Sequence, residues 1–346
     1  MSHIRRVTIV SLSRGILGEG FVAHEVKLGL ERLAAMGLQV KFAPGARLGI
    51  SYLQEHPEVR AADLLCALQD PETDLILCAI GGDDTYRLLP YLFDDGQLEQ
   101  AVRAGRDKLF LGFSDTTFNH FMLRKAGMKQ TFYGQAFLPD LCELGPDMLP
   151  YTRSYFEELI STGRIAGVTP APVWYDGRED FSPAAVGTGM PAHPNGGFEL
   201  LQGSGDFSGE ILGGCIDSMY DFFNNERYPD TVEMVQKYGL FPSEEEWRGK
   251  ILLLETSEEK PTPEHYARQL EALGKTGVFR AVSGILMGKP MDETYFAEYK
   301  KLLVRAVGDP RLPILANVNV GHATPRCILP FGVPARVIGG REIRFD

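Results

Sequence analysis

The chain has 346 residues, of which 44% are hydrophobic and 23% are charged, and its formal net charge is −11. This length favours two domains over a single core, and the negative charge argues against nucleic acid and anionic membranes as partners. No apolar run approaches the roughly 20 residues that a membrane-spanning helix needs, so we expect a cytoplasmic protein.

The first part of the chain, up to about residue 130, alternates between strand and helix patterns. The strand patterns are RRVTIVSLS, LQVKFA, DLILCAI and KLFLGF, and the helix patterns between them are HEVKLGLERLAAMG, PEVRAADLLCALQD and DTYRLLPYL. This alternation predicts an open, mostly parallel sheet flanked by helices, with functional loops at the carboxyl ends of the strands.

A segment rich in proline and glycine interrupts this pattern. Strand patterns such as KILLLET, VSGILMG and PILANVNVG and two helix patterns resume after it, and the chain ends in a short β meander. We therefore predict an α/β protein with an N-terminal α/β domain over residues 1–165, a linker and active-site loop over residues 166–205, and a smaller, β-rich α/β domain over residues 206–346. The five cysteines form no CxxC pair, which argues against a disulfide framework or a zinc site.

A serine follows the fourth predicted strand in the stretch KLFLGFSDTTFNH. Ser114 stands between a strand and a helix, which is the setting of a nucleophile elbow. The usual GxSxG pattern is incomplete because Thr116 occupies the place of its last glycine. Serine, aspartate and threonine are also ordinary N-cap residues of helices, so the motif alone leaves both interpretations open.

A serine nucleophile needs a base, and His322 is the most distinctive of the seven histidines. It follows the strand pattern PILANVNVG, while Glu255 closes the strand pattern ILLLE, where an unpaired charge would be costly. Ser114, Glu255 and His322 therefore all stand at the ends of apolar strands, in an order compatible with a catalytic triad. The remaining histidines are interpreted as terminal, surface, loop or core residues: His3, His24, His56, His120, His193 and His265.

Two glycine-containing loops are further candidates for binding. In AIGGDDT, Gly81 and Gly82 expose backbone N–H groups that suit an anion or an oxyanion, although a tight turn alone could also require glycine. In SRGILGEG, three glycines suggest an alternative function, a nucleotide-cofactor oxidoreductase. The GxGxxG spacing of such a site is absent.

Five motifs taken together resemble the LD-carboxypeptidase family of serine peptidases. They are, in chain order, IGGDDTYRLLPYL, GFSDTT, GEILGGCIDSM, ILLLETSE and VNVGHATPRCILPFGVPA, and the resemblance extends over nearly the whole chain. Phe113 stands where the family has a tyrosine in its GYSD-type motif. The resemblance implies a site between two domains, with Ser114 as nucleophile, His322 as base and Glu255 as the residue that orients the base.

The resemblance also implies an oxyanion hole, formed by the N–H of Asp115 and one N–H from Gly81 or Gly82. It implies no metal and no organic cofactor. We further expect a homodimer.

Two branches of the family suggest two substrates, and the motifs favour the branch of the microcin C immunity peptidase, which cleaves an aminoacyl nucleotide. The alternative is murein LD-carboxypeptidase activity in cell-wall recycling. Phe198 and Trp174 are candidates for stacking on a nucleobase. Arg60, Arg87 and Arg326 are candidates for binding a carboxylate or phosphate.

Overall fold

The computed structural model describes residues 4–105 and 107–346, so His3 lies outside the described residues. The strands are β1 (Arg6–Val10), β2 (Gln39–Phe42), β3 (Leu75–Cys78), β4 (Leu109–Gly112), β5 (Thr131–Tyr133), β6 (Gly167–Val168), β7 (Val173–Tyr175), β8 (Ala192–Pro194), β9 (Glu199–Gln202), β10 (Phe207–Cys215), β11 (Ile251–Glu255), β12 (Gly284–Gly288), β13 (Ile314–Val318), β14 (Leu329–Phe331), β15 (Pro334–Ile338) and β16 (Glu342–Phe345).

The α-helices alternate with these strands over much of the chain. They are α1 (Ala23–Ala35), α2 (Ile50–Glu55), α3 (Pro57–Gln69), α4 (Leu89–Phe93), α5 (Gln97–Ala104), α6 (Thr117–Lys125), α7 (Pro150–Thr162), α8 (Ile216–Tyr220), α9 (Thr231–Lys237), α10 (Glu244–Trp247), α11 (Pro263–Lys275), α12 (Val278–Ala281) and α13 (Phe296–Val307). Short 3-10 turns and one π-helical turn, Phe137–Leu141, connect some of them.

The N-terminal sheet has the strand order β14-β5-β4-β3-β1-β2. Its first five strands in the chain pair in parallel, and β14 adds an antiparallel edge. Every residue of β3 is buried, which explains why this strand reads as an unbroken apolar run. The predicted mostly parallel sheet is confirmed, and its strands deliver their following loops to one edge.

The C-terminal sheet has the order β6-β16-β15-β10-β11-β12-β13-β9. Its centre, β10 to β13, is parallel, and the pairs toward both edges are antiparallel. The α/β architecture with two sheets is the predicted fold class, which is thereby confirmed.

The segment over residues 166–205 contains short strands. β6 and β9 form the two edges of the C-terminal sheet, and β7 pairs with β8 in a separate hairpin. The chain also crosses between the sheets in the opposite direction, because β14 leaves the C-terminal region and joins the N-terminal sheet. The domain boundaries given above stay a prediction.

None of the helices in the described ranges is long and apolar enough to cross a bilayer. The cytoplasmic location and the homodimer stay predictions.

Candidate active site

Ser114 lies in a strained turn at the end of β4. Its φ angle is +66°, in the left-handed region that costs roughly 1–2 kcal/mol for a residue with a Cβ atom. A 3-10 turn, Ser114–Thr116, follows immediately and leads into α6. This is the geometry of a nucleophile elbow, in which a tight turn lifts the serine hydroxyl above the sheet edge.

Three side chains from the two sheets form a chain of hydrogen bonds. Ser114 Oγ lies 3.0 Å from His322 Nε2, and His322 Nδ1 lies 2.7 Å from Glu255 Oε2. The backbone N–H of His322 donates to the same carboxylate oxygen at 3.2 Å. When the ring is neutral, these distances allow a proton to move from the hydroxyl to the imidazole while the carboxylate holds the ring in place.

Gly321 makes the contact between Glu255 and His322 possible. A Cβ atom built on it would lie 2.2 Å from Glu255 Cδ, and its φ angle of +74° is one that glycine adopts without strain. The glycine before the histidine therefore clears space for the carboxylate.

Tyr133, at the end of β5, connects the N-terminal sheet to this carboxylate. Its hydroxyl donates to Glu255 Oε1 at 2.6 Å and accepts a long contact from the Ser114 N–H at 3.4 Å. Burial, reinforced by the negative charge of Glu255, raises the pKa of the Tyr133 phenol, so the phenol remains a donor. Both oxygens of Glu255 are thus satisfied in a buried setting.

His322 contacts a second acid, Glu258, whose Oε2 lies 3.0 Å from Nε2. Burial lowers the pKa of the His322 imidazole, but the charges of Glu255 and Glu258 and the hydrogen bonds that they accept outweigh burial and raise this pKa to about 10. In return, the close contact with His322 lowers the pKa of Glu258 to about 2. The ring is therefore an imidazolium at neutral pH in this arrangement.

The loop after β3 lies directly against the serine. A Cβ atom on Gly81 would come within 2.6 Å of Ser114 Oγ and 3.2 Å of the backbone nitrogen of Asp115. A Cβ atom on Gly82 would lie 2.9 Å from the backbone nitrogen of Arg14. The structure thus places Gly81 against Ser114, where a side chain would displace the serine, whereas Gly82 packs against Ser13 and Arg14 and lines the same cavity.

The Asp115 carboxylate ties together three loops at this edge. Its Oδ2 accepts from Ser13 Oγ at 2.5 Å, from Thr85 Oγ1 at 2.6 Å and from the Thr85 N–H at 3.0 Å. Burial raises the pKa of Asp115, while these hydrogen bonds oppose that shift. The side chain holds the serine turn against the loops that follow β1 and β3.

A cavity of about 430 Å³ opens onto Ser114 and His322. Phe21 and Phe181 line it and are 61% and 55% exposed, which is unusual for aromatic side chains. The segment between β7 and β8 forms part of the wall and is anchored by an ion pair between Arg178 and Glu143, whose side chains are 7% and 10% exposed. The cavity is mainly apolar, with a few charged groups near the serine.

Models of the LD-carboxypeptidase N-terminal domain and C-terminal domain match residues 7–134 and 208–337. The chain also aligns over 99% of its length, and 99% of the other chain, with an MccF-like protein from Streptococcus pneumoniae solved in complex with AMP, at 55% identity and a TM-score of 0.97. The chain belongs to the LD-carboxypeptidase family. It is therefore a serine-type peptidase, a hydrolase, as the motifs predicted.

More distant members of the LD-carboxypeptidase family carry two kinds of name. The chain is 25% identical to the microcin C7 self-immunity protein MccF of Escherichia coli, over 79% of this chain and 74% of that protein. It is 24% identical to a probable murein peptide carboxypeptidase of Bacillus subtilis, over 88% of this chain and 81% of that protein.

The two aromatic residues predicted to stack on a base do not line the cavity of this family member. Trp174 stacks on His193 with ring centroids 4.2 Å apart, and the Lys289 ammonium lies 4.9 Å from the Trp174 ring centroid. Phe198 is half-buried and packs against the core. Of the exposed aromatics at the cavity, Phe21 follows the SRGILGEG stretch in a 3-10 turn, Gly20–Val22, and Phe181 lies in the segment between β7 and β8.

The three arginines predicted as anion-binding candidates already have acidic partners. Arg60 is fully buried and lies 2.5 Å from Asp84, which Arg87 also contacts. Arg326 lines the cavity, but its guanidinium lies 3.2 Å from the buried Asp140. These contacts are typical of structural ion pairs.

Arg14 was missed by the sequence analysis. It is exposed, lines the cavity, and makes no side-chain hydrogen bond or ion pair within residues 4–105 and 107–346. Its position in the loop after β1, at the carboxyl end of a parallel strand, is the signal that could have identified it.

The SRGILGEG loop has a packing explanation in place of a cofactor site. A Cβ atom on Gly18 would lie 2.3 Å from the backbone nitrogen of Gly49, and a Cβ atom on Gly15 would lie 2.5 Å from the carbonyl oxygen of Gly49. The glycines therefore allow two loops to touch.

The other described histidines have partners outside the proposed triad. His120 is buried between Thr131 Oγ1 and the carbonyl of Gly112, and burial lowers its pKa to about 4. The partners of the remaining four are Phe181 O for His24, Glu58 for His56, Asp176 for His193 and Arg268 for His265.

One group of side chains has the composition of a metal site. Ligand atoms of Cys215, Glu255 and His322 lie within 4.8 Å of one another. Burial and the charge of Glu255 raise the pKa of the Cys215 thiol, which favours the protonated thiol over a metal-binding thiolate. Both oxygens of Glu255 are engaged by Tyr133 and His322, so this chemistry does not suit a metal ion.

Proposed function

We propose that this hydrolase cleaves an amide bond with Ser114, His322 and Glu255 as its catalytic triad. His322 Nε2 accepts the Ser114 proton as Oγ attacks the carbonyl carbon, and the N–H groups of Asp115 and of Gly81 or Gly82 stabilise the oxyanion. The imidazolium then gives this proton to the leaving amine. Water completes the cycle by attacking the acyl-serine with His322 again as base.

The observation that carries this proposal is the continuous path from Ser114 Oγ to Glu255 Oε2 through one imidazole, at 3.0 and 2.7 Å. Its two ends come from different sheets, because Ser114 follows β4 and Glu255 is the last residue of β11. Burying a carboxylate and an imidazole is costly unless the two groups are paired. Their pairing here places the proton of a neutral ring on Nδ1, which leaves Nε2 to act as the general base.

We infer that the substrate is an aminoacyl nucleotide. The 55% identical MccF-like protein was solved with AMP, and the cavity here offers exposed Phe21 and Phe181 for stacking on a base. Arg14 has no acidic partner among the described residues and is suited to a phosphate or sulfamate group.

A murein tetrapeptide is the second candidate, supported by the similarity to the probable murein peptide carboxypeptidase. Arg14 would then bind the terminal carboxylate, and the exposed aromatic rings would have no base to stack on.

The test compares hydrolysis of aspartyl sulfamoyl adenosine with that of a murein tetrapeptide, with Ser114→Ala as the inactive background. We expect cleavage of the nucleotide amide, and we expect Phe181→Ala to weaken it by roughly 5- to 150-fold because a base–aromatic stack is worth roughly 1–3 kcal/mol. Tyr91→Ala, an exposed aromatic away from the cavity, is the matched control. Cleavage of the tetrapeptide alone would identify the murein activity instead.

A further inference from the structure

The proposed base has two competing partners on one nitrogen. His322 Nε2 lies 3.0 Å from Ser114 Oγ and 3.0 Å from Glu258 Oε2. Glu258 lies in the loop after β11, and its carboxylate faces the same cavity as the serine. Within the described part of the chain, this contact with His322 is its only ion pair.

One nitrogen cannot serve both partners in the reactive state. Because Nδ1 donates to Glu255, a neutral ring has a lone pair on Nε2, and that lone pair must accept the Ser114 proton. A carboxylate at 3.0 Å would repel this lone pair, whereas it attracts the N–H of an imidazolium. The arrangement is therefore a resting state, in which His322 is charged and cannot act as a base.

Glu258 is free to leave this position. Its side chain is 64% exposed, in contrast to the fully buried side chain of Glu255. The positive charge of Arg227 also lowers the pKa of Glu258. Arg227 forms its ion pairs with Asp221 and Glu259, however, so it does not hold Glu258 in place. A cation that enters the cavity can thus draw the carboxylate away from His322 without breaking a buried network.

None of the described arginines that line the cavity pairs with Glu258, so we assign to the substrate the cation that draws this carboxylate away from His322. Of the cavity arginines, Arg178 is paired with Glu143 and Arg326 with the buried Asp140, and Arg14, in the loop after β1, forms no ion pair with Glu258. Glu25, also in the cavity wall, has a pKa raised by burial. The carboxylate of Glu258 is the exposed anion beside the reacting atoms.

We propose that Glu258 is a specificity-determining gate, which holds His322 inactive until an ammonium group of the substrate, next to the scissile amide, pairs with Glu258 and frees the imidazole. The proposal rests on the triad mechanism above. It selects amides that carry a primary amine beside the reacting carbonyl, such as an aminoacyl group with a free α-amino group, over their N-acylated counterparts.

The first test follows the reactivity of Ser114 without any substrate. A fluorophosphonate labels the serine as fluoride leaves, at a rate that depends on neutral His322. In Glu258→Gln, we expect the midpoint of the pH profile to move down by about one pH unit or more, with about tenfold faster labelling near neutral pH. Glu259→Gln, its neighbour in the same loop, should keep the wild-type midpoint. An identical midpoint in the wild type and Glu258→Gln would overturn the gate.

The second test compares aspartyl sulfamoyl adenosine with its N-acetyl derivative. We expect the wild type to prefer the free amine by about tenfold or more in kcat/KM and Glu258→Gln to lose most of this preference, because an ion pair close to the reacting atoms is removed. A preference that is unchanged in Glu258→Gln contradicts the proposal.

The failure of the gate and that of the proposed substrate are distinguishable. A shifted labelling midpoint with no hydrolysis of either nucleotide contradicts the substrate and supports the gate. Equal hydrolysis of both amides with an unshifted midpoint supports the substrate and overturns the gate.

Discussion

The two sheets contribute to the site by different physical means. The N-terminal sheet presents Ser114 through backbone strain and a set of hydrogen bonds that the Asp115 side chain accepts from neighbouring loops. The C-terminal sheet supplies charge, since Glu255 and Glu258 both contact the one imidazole of His322. The N-terminal sheet therefore fixes the position of Ser114, and the C-terminal sheet sets the proton affinity of His322. Substitutions in the two sheets should therefore have different effects.

The serine itself should show the largest effect. We expect Ser114→Ala to lower hydrolysis by about 10⁴- to 10⁶-fold with little change in stability. Ser114→Gly should be equally inactive but more stable than Ser114→Ala by about 1 kcal/mol, because glycine relieves the left-handed φ angle. Activity assays and urea unfolding measure the two effects. Equal stability of these two variants would contradict the strain, and Ser161→Ala, on the exposed end of α7, is the control.

The ion pairs of His322 with Glu255 and Glu258 should make the free energy of unfolding depend on pH. The pKa of His322 is about 6.5 in an unfolded chain and is raised to about 10 in the folded one, so unfolding releases a proton between these values. Its stabilising contribution is complete below about pH 6.5 and declines toward about pH 10, by up to about 1.4 kcal/mol per pH unit. Urea unfolding of His322→Gln should lack this decline, and parallel curves for the two proteins would refute the ion pairs.

Loss of the loop anchor should destabilise the N-terminal side. Asp115→Ala removes three hydrogen bonds that join the loops after β1, β3 and β4, and we expect a loss of roughly 2–4 kcal/mol of unfolding free energy. Asp95→Ala, at an exposed site, should be nearly neutral. A denaturation midpoint for Asp115→Ala within error of this control would rule out the anchoring role.

Tyr133 joins the two sides, and its loss should have the smallest effect. Tyr133→Phe removes one hydrogen bond to Glu255, and a bond to a charged group contributes about 1.5–3 kcal/mol, so kcat should fall about 10- to 100-fold. Tyr155→Phe provides a buried tyrosine outside the triad as a comparison. An unchanged kcat in Tyr133→Phe would mean that His322 alone positions the carboxylate.

Local pattern was sufficient for the fold class and for the strand-end residues. Short apolar runs bounded by turn residues identify β3, β4, β11 and β13, because buried parallel strands are apolar throughout and end in polar loops. Ser114, Glu255 and His322 could be selected for the same reason. The motifs, taken in order, then predicted the LD-carboxypeptidase family.

Tertiary structure alone decided which side chains face the cavity. Phe181 and Arg14 belong to loops without a periodic pattern, and their exposure depends on how the segment between β7 and β8 lies over the N-terminal sheet. The second partner of His322 was equally hidden, since Glu258 lies in a polar loop where one glutamate resembles the next. Short-range patterns in the sequence indicate the strands and the residues at their ends, whereas the order of strands in each sheet and the distances between remote loops result from tertiary packing.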